Sequence, residues 1–247
     1  MTGSIFPRLR DKGFDIEFKY YADAILSQSF PAAADELDAI IDSVAIPIRE
    51  LVRGGGGEAL VTQRLRRSLQ DHGWSKRTFV VEKTINDKTT SSQSHEVDHA
   101  KDFDDQTIAL EIEWNNKDPF FDRDLENFNR LHADGGISIG VIVTRGRSLQ
   151  QGVEGRIRSF ATARAIQSFD DLAPFGHEPT RRQRQEVDRY RRRNACAFAE
   201  AWAACFTRDK FGTATTHWDK LRIRLDRGVG SPCPIVGLGI PLSCVTD

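Results

Sequence analysis

The sequence predicts a mixed α/β fold, a central mixed sheet flanked by helices, whose core runs α-β-β-β-α-β. Three stretches predict it. Residues 107–115, TIALEIEWN, alternate apolar and polar side chains with the period of a strand. Residues 136–145, GISIGVIVTR, are an almost continuous apolar run, as a strand covered on both faces requires. Between them, residues 122–132 space Leu125, Phe128 and Leu131 as one face of a helix, with Asp122 as its expected N-cap.

The remaining elements follow in chain order. Residues 34–52 place Leu37, Ile40, Ile41, Val44, Ile48 and Leu51 at helical spacing, with a kink or break expected at Pro47. The run GGGG at 54–57 lacks GxxxxGK[ST], so it is no phosphate loop and reads as a hinge before a helix. That helix is expected over 58–72, with Leu60, Val61, Leu65 and Leu69 inside and Gly73 ending it. Residues 77–84 are rich in strand formers, 89–93 read as a polar loop, and 95–100 as a short strand. Beyond 145 a helical stretch is expected over about 182–206 and a last strand over 233–241. No internal repeat or long linker divides the 247 residues. One domain over 1–247 is therefore expected, its core at about 58–145 with helical and strand additions on either side.

Composition narrows the class. A hydrophobic fraction of 39% without an apolar run of membrane-spanning length argues for a soluble protein and against a membrane partner. The first residues, MTGSIFPRLRDKG, lack the apolar region of a secretion signal. The four cysteines have no metal-type spacing and read as reduced thiols of a cytoplasmic protein. Net charge is −1, but the charge is clustered. TRRQRQEVDRYRRRN (180–194) has seven arginines against two acids, and TQRLRRSLQ (62–70) adds three. Such runs either track phosphates or form solvated helix faces. Acid gathers at 35–42 and 98–105.

The chemistry lies in the strand at 107–115. Its even positions face the core, which leaves Glu111 and Glu113 together on the other face, about 6.5–7 Å apart at Cα. Two carboxylates so placed repel, and burial would raise the pKa of at least one. A hard divalent cation such as Mg²⁺ relieves both penalties. Asp98, thirteen residues before Glu111, adds a third carboxylate if FDDQ turns the chain into a hairpin. The alternative is a surface strand with an acidic edge; Trp114 and the apolar elements that follow argue for a central strand instead.

Here the chain resembles a known family. The α-β-β-β-α-β order with D…(D/E)-x-(E/Q/K) carboxylates is that of the PD-(D/E)xK nuclease fold. ALEIEWNNKDPFFDRDLENF and the tail KFGTATTHWDKLRIRLDRGVGSPCPIVGLGIP look like the BglII/BamHI-type type II restriction endonucleases, over about 58–241. The resemblance implies Mg²⁺-dependent hydrolysis of double-stranded DNA at a short, palindromic site. It implies one or two Mg²⁺ held by Asp98, Glu111 and Glu113, with Glu58 at a position where some members place an auxiliary carboxylate. Glu113 stands where the wider fold has lysine, so either Glu113 is the general base or the metal activates the water.

DNA-contacting candidates follow from position. Asn115 and Lys117 continue the acidic face, with Lys117 suited to a backbone phosphate. Arg145 and Arg147 follow the apolar strand and are expected at its exposed end. Thr215, Thr216, His217 and Lys220 lie in a polar stretch after a glycine, and either contact DNA or start a helix. One active site per chain and palindromic DNA predict a homodimer, with the region near 119–132 implicated by the relatives. A DNA methyltransferase is the expected functional partner. The alternatives are a catalytically silent DNA-binding module of the same fold and a nuclease of repair or modified DNA.

Overall fold

The computed structural model describes residues 4–55 and 57–247; residues 1–3 and Gly56, within the expected glycine hinge, lie outside the described residues. The chain begins with α1 (Pro7–Lys12), β1 (Asp15–Lys19), α2 (Ala22–Ser29) and α3 (Pro31–Asp42), then β2 (Ile46–Pro47) and α4 (Ile48–Leu51). The core follows as α5 (Leu60–Asp71), β3 (Ser75–Ile85), β4 (Lys88–Phe103), β5 (Gln106–Glu113), α6 (Phe120–Ala133) and β6 (Ile139–Arg145). It continues through α7 (Arg147–Ala163), α8 (Arg181–Asn194), α9 (Phe198–Phe211), α10 (Trp218–Asp226), β7 (Ile235–Ile240) and β8 (Val245–Thr246). The predicted α-β-β-β-α-β order is α5 to β6.

Six strands form one mixed sheet in the order β1-β7-β6-β5-β4-β3, with β5, β6 and β7 parallel and the outer pairs antiparallel. β6 lies inside, and all seven of its residues are buried, which is why its sequence is apolar without alternation. Ile108, Leu110 and Ile112 of β5 join the larger core with α3, α5 and α7. Ala109 of β5 joins the smaller core on the other face, with Phe128 of α6 and Leu221 of α10.

Four expectations change, and one strand is added. Asp122 lies within the first turn of α6, whose N-cap is Pro119, rather than capping it. Residues 89–93 are strand: β3 and β4 pair along their length around Asn86–Asp87, a two-residue turn with φ of 48° and 62°. Their polarity reflects exposure on both faces, since every residue from Lys88 to Ser94 is exposed. The helix expected over 34–52 stops at Asp42; Pro47 lies in a short strand beside Val245–Thr246, and helix resumes after it. The stretch 182–206 is two helices, parted where Ala195 takes a left-handed φ of 49°. The edge strand β1 was not anticipated, because five half-buried residues show no clear period.

Candidate active site

The β4–β5 hairpin builds the acidic cluster. Phe103 pairs with Gln106 around Asp104–Asp105, as the FDDQ turn predicts, and His99 pairs with Leu110. The next step along both strands brings Asp98 to Glu111, where the Asp98 amide donates to Glu111 Oε1 at 3.2 Å. Glu111 and Glu113 share the strand face that α6 covers, and are 5% and 2% exposed. They are thus buried acids, whereas Asp98 is exposed.

α6 brings a fourth carboxylate. A Cβ on Gly140 would lie 2.3 Å from the Phe128 ring, so glycine at 140 lets the helix sit against the sheet. Gly140 is paired with Ala109, and Glu111 lies two residues further along β5. Asp124 precedes Phe128 by one helical turn, about 5.4 Å, and reaches the Glu111–Glu113 level. It is 3% exposed, and its Oδ2 has no hydrogen-bond partner. Sequence spacing leaves Arg123 and Asp124, at the start of this helix, equally open to a capping or ion-pair role and to a DNA role; the helix-sheet packing that places Asp124 in the cluster has no local signature.

Arg123 is the cation bonded to this cluster among the described residues. Arg123 donates to Asp124 Oδ1 from Nε at 2.8 Å, and its Nη2 stands 3.6 Å from Glu113 Oε1. Its guanidinium lies over the Phe120 ring. Glu113 Oε2 accepts from Asn116 Nδ2 at 2.8 Å. Burial, with the neighbouring Asp124 and Asp98, pushes Glu111 up to about 9. Burial and the closeness of Asp124 likewise raise Glu113, and burial raises Asp124.

Two clefts meet at Asp98. One, of about 570 Å³, is lined by Asp98, Glu111, Arg123 and Asp124. The other, of about 940 Å³, runs from Asp98 past Asn115 and Asn116 to Glu58, Gly54 and Lys210. Glu58 precedes α5 rather than starting it, and pairs with Arg66 at 3.0 Å. Among the described residues, no three His, Cys, Asp or Glu side chains are already drawn together as a metal cage. The donor set nevertheless fits a hard divalent ion: carboxylate oxygens, one of them buried without a partner, in clefts open to a phosphate.

A family model described as "Restriction endonuclease BglII/BglIII" matches residues 14–240. The chain belongs to this family. A search of curated proteins found no match.

This BglII-type endonuclease acts on DNA, so the places of the candidate DNA contacts matter. β5 ends at Glu113, and the chain then pairs with another loop: Lys117 bridges Thr215, and the Thr216 amide donates to Asn116 O at 2.8 Å. Lys117 is exposed and Asn115 half-buried on the larger cleft. Lys220 meets Asp118 at 3.2 Å, and Arg147 meets Asp219 at 3.0 Å. The expected exposed end of β6 is instead covered. Arg145 is 1% exposed, because the loop before α10 folds over it; its Nη2 donates to Thr216 O at 2.8 Å and to Thr215 Oγ1. Its guanidinium packs on Phe211, and burial lowers its pKa. Thr216 and His217 are buried with it. Thr215 is half-buried.

Proposed function

We propose that the protein is a type II restriction endonuclease that hydrolyses phosphodiester bonds of double-stranded DNA at a short palindromic site, as a homodimer using Mg²⁺. The register that sets Asp98 beside Glu111, with Glu113 and Asp124 packed behind, carries this reading. Asp98, Glu111 and Glu113 would hold the metal, with Asp124 behind them and Glu58 as an auxiliary carboxylate on the cleft rim. Bound Mg²⁺ supplies charge neutralisation at the phosphate and a more acidic water.

The chain's own groups do the rest. Glu113 takes the proton of the attacking water; a bound cation would offset the burial that raises its pKa and so keep it ionised for that role. Asn116 orients it through Oε2. Lys117 meets a backbone phosphate, and Asn115 lies on the wall of the cleft that receives it. Arg147, Thr215 and Lys220 line the DNA side of the loop that Arg145, Thr216 and His217 support from within. Two copies joined near 119–132 would each cut one strand, and a methyltransferase of the same specificity would protect the resident DNA.

The test is phage DNA incubated with the purified protein and Mg²⁺. Discrete fragments that vanish with EDTA and in Glu111→Ala are the expected result. Binding without cutting in both Mg²⁺ and Mn²⁺ would instead show a silent DNA-binding module. Cutting restricted to methylated DNA, or random degradation, would point to a modification-dependent or repair nuclease.

A further inference from the structure

The densest positive charge lies outside the carboxylate site, on α8. Arg181–Asn194 has seven arginines against Glu186 and Asp188, in a chain of net charge −1. Val187 is its buried residue. At about 100° per residue, Arg181, Arg182, Gln185, Arg189, Arg192 and Arg193 fall on the arc opposite Val187, and all six are exposed.

Little of this charge is neutralised. Arg182 pairs with Glu186, which also takes Arg208 of α9 at 2.6 Å. Among the described residues, no ion pair engages Arg181, Arg189, Arg192 or Arg193. Like charges at i,i+3 and i,i+4, as in Arg189, Arg192 and Arg193, disfavour a helix, and a polyanion laid along it removes that penalty. The outward arc offers arginine and glutamine without an apolar anchor, which suits phosphates better than a protein partner.

The helix also starts near the larger cleft, which meets the carboxylate cleft at Asp98. The Gly54 amide, on the cleft rim, donates to Gly176 O at 3.0 Å. Thr180, four residues on, caps α8 through a reciprocal pair with Gln183. Lys210 lines the same cleft, two residues beyond the Arg208 that meets Glu186. The first turns of α8 therefore stand near the cleft and the last turns lead away. Its 14 residues span about 21 Å, the rise of about six base pairs.

We propose that α8 is a second DNA surface, whose arginine row contacts the backbone phosphates of duplex outside the base pairs at the cleft. The proposal rests on the DNA-cleaving reading above. Such contacts carry no sequence information and serve affinity and movement along the DNA.

The experiment compares wild type with the variant R181Q/R189Q/R192Q/R193Q, using full-length protein in EDTA. Fluorescence anisotropy measures Kd for random-sequence duplexes of about 10 and about 30 base pairs over a KCl series. Each lost phosphate contact removes about 0.9 from the slope of log Kd against log[KCl]. The variant slope should fall by about 2–4 on the long duplex, and by no more than that on the short one, which cannot fill the cleft and α8 together. The corresponding lysine variant, which keeps the charge, should keep the wild-type slope. Equal slopes for wild type and the glutamine variant on the long duplex, with wild type still binding, overturn the proposal and leave the endonuclease reading intact. A wild type that binds neither duplex also overturns the proposal, while the endonuclease reading stands or falls on the cleavage of phage DNA with Mg²⁺.

Discussion

The Asp98 amide donates to Glu111 Oε1 at 3.2 Å, so one antiparallel register sets the geometry of two carboxylates on adjacent strands. Glu111→Gln keeps an acceptor for that amide and removes the charge that would hold the proposed metal. Cleavage should fall at least about 100-fold, the scale of losing one charge-stabilising group. DNA binding measured in EDTA should stay within a few-fold of wild type. Full activity in the variant would remove Glu111 from the metal site.

The raised pKa of Glu111 gives stability a pH dependence. With a folded value of about 9 against 4.5 unfolded, its contribution is present below 4.5 and is lost as pH rises towards 9. His177, held down at about 4 by burial, acts below 6.5, and Lys210, lowered to about 8, acts above 8. The window from pH 6.5 to 8 therefore isolates the buried acids. In EDTA, denaturation there should show stability falling, with each buried acid contributing up to about 1.4 kcal/mol per pH unit. Mg²⁺ should flatten the slope, and Glu111→Gln should reduce it without metal. A flat wild-type curve in EDTA would mean that Glu111 titrates normally.

Gly140 lets α6 approach the sheet closely enough to seat Asp124. Gly140→Ala forces Cβ into the Phe128 ring and should cost about 1–3 kcal/mol. Phe128→Leu in the same chain should recover part of that loss, as contacting residues are coupled. Purely additive effects in chemical denaturation would show that the two do not meet.

Arg145 braces the loop at 212–217 from inside. Arg145→Ala leaves Thr216 O without its donor and opens space beside Phe211. The expected loss is about 2–4 kcal/mol in urea denaturation, with weaker DNA binding from the displaced loop. A loss below about 1 kcal/mol would show that the loop does not depend on this guanidinium.

Much of the candidate site could be read in the sequence because its signals are local. The alternation of Ile108, Leu110, Ile112 and Trp114 places Glu111 and Glu113 on one face, and thirteen residues back to Asp98 is a hairpin's length. Other parts are settled by pairing at a distance. Residues 89–93 are polar enough for a loop, yet β3 supplies their backbone partners. Arg145 ends an apolar strand and would be exposed, except that a loop seventy residues later covers it.

The sequence by itself determined which strand is central, which face of it is acidic and which hairpin adds Asp98, because side-chain alternation and turn length are properties of neighbouring residues. Tertiary structure alone decided that the acidic face is buried, that Asp124 joins it and that Arg145 points inward. Those outcomes depend on how α6 and the loop before α10 dock on the sheet. Docking is set by contacts such as Phe128 on Gly140 and Arg145 on Thr216, between residues 12 and 71 positions apart, which no local pattern encodes.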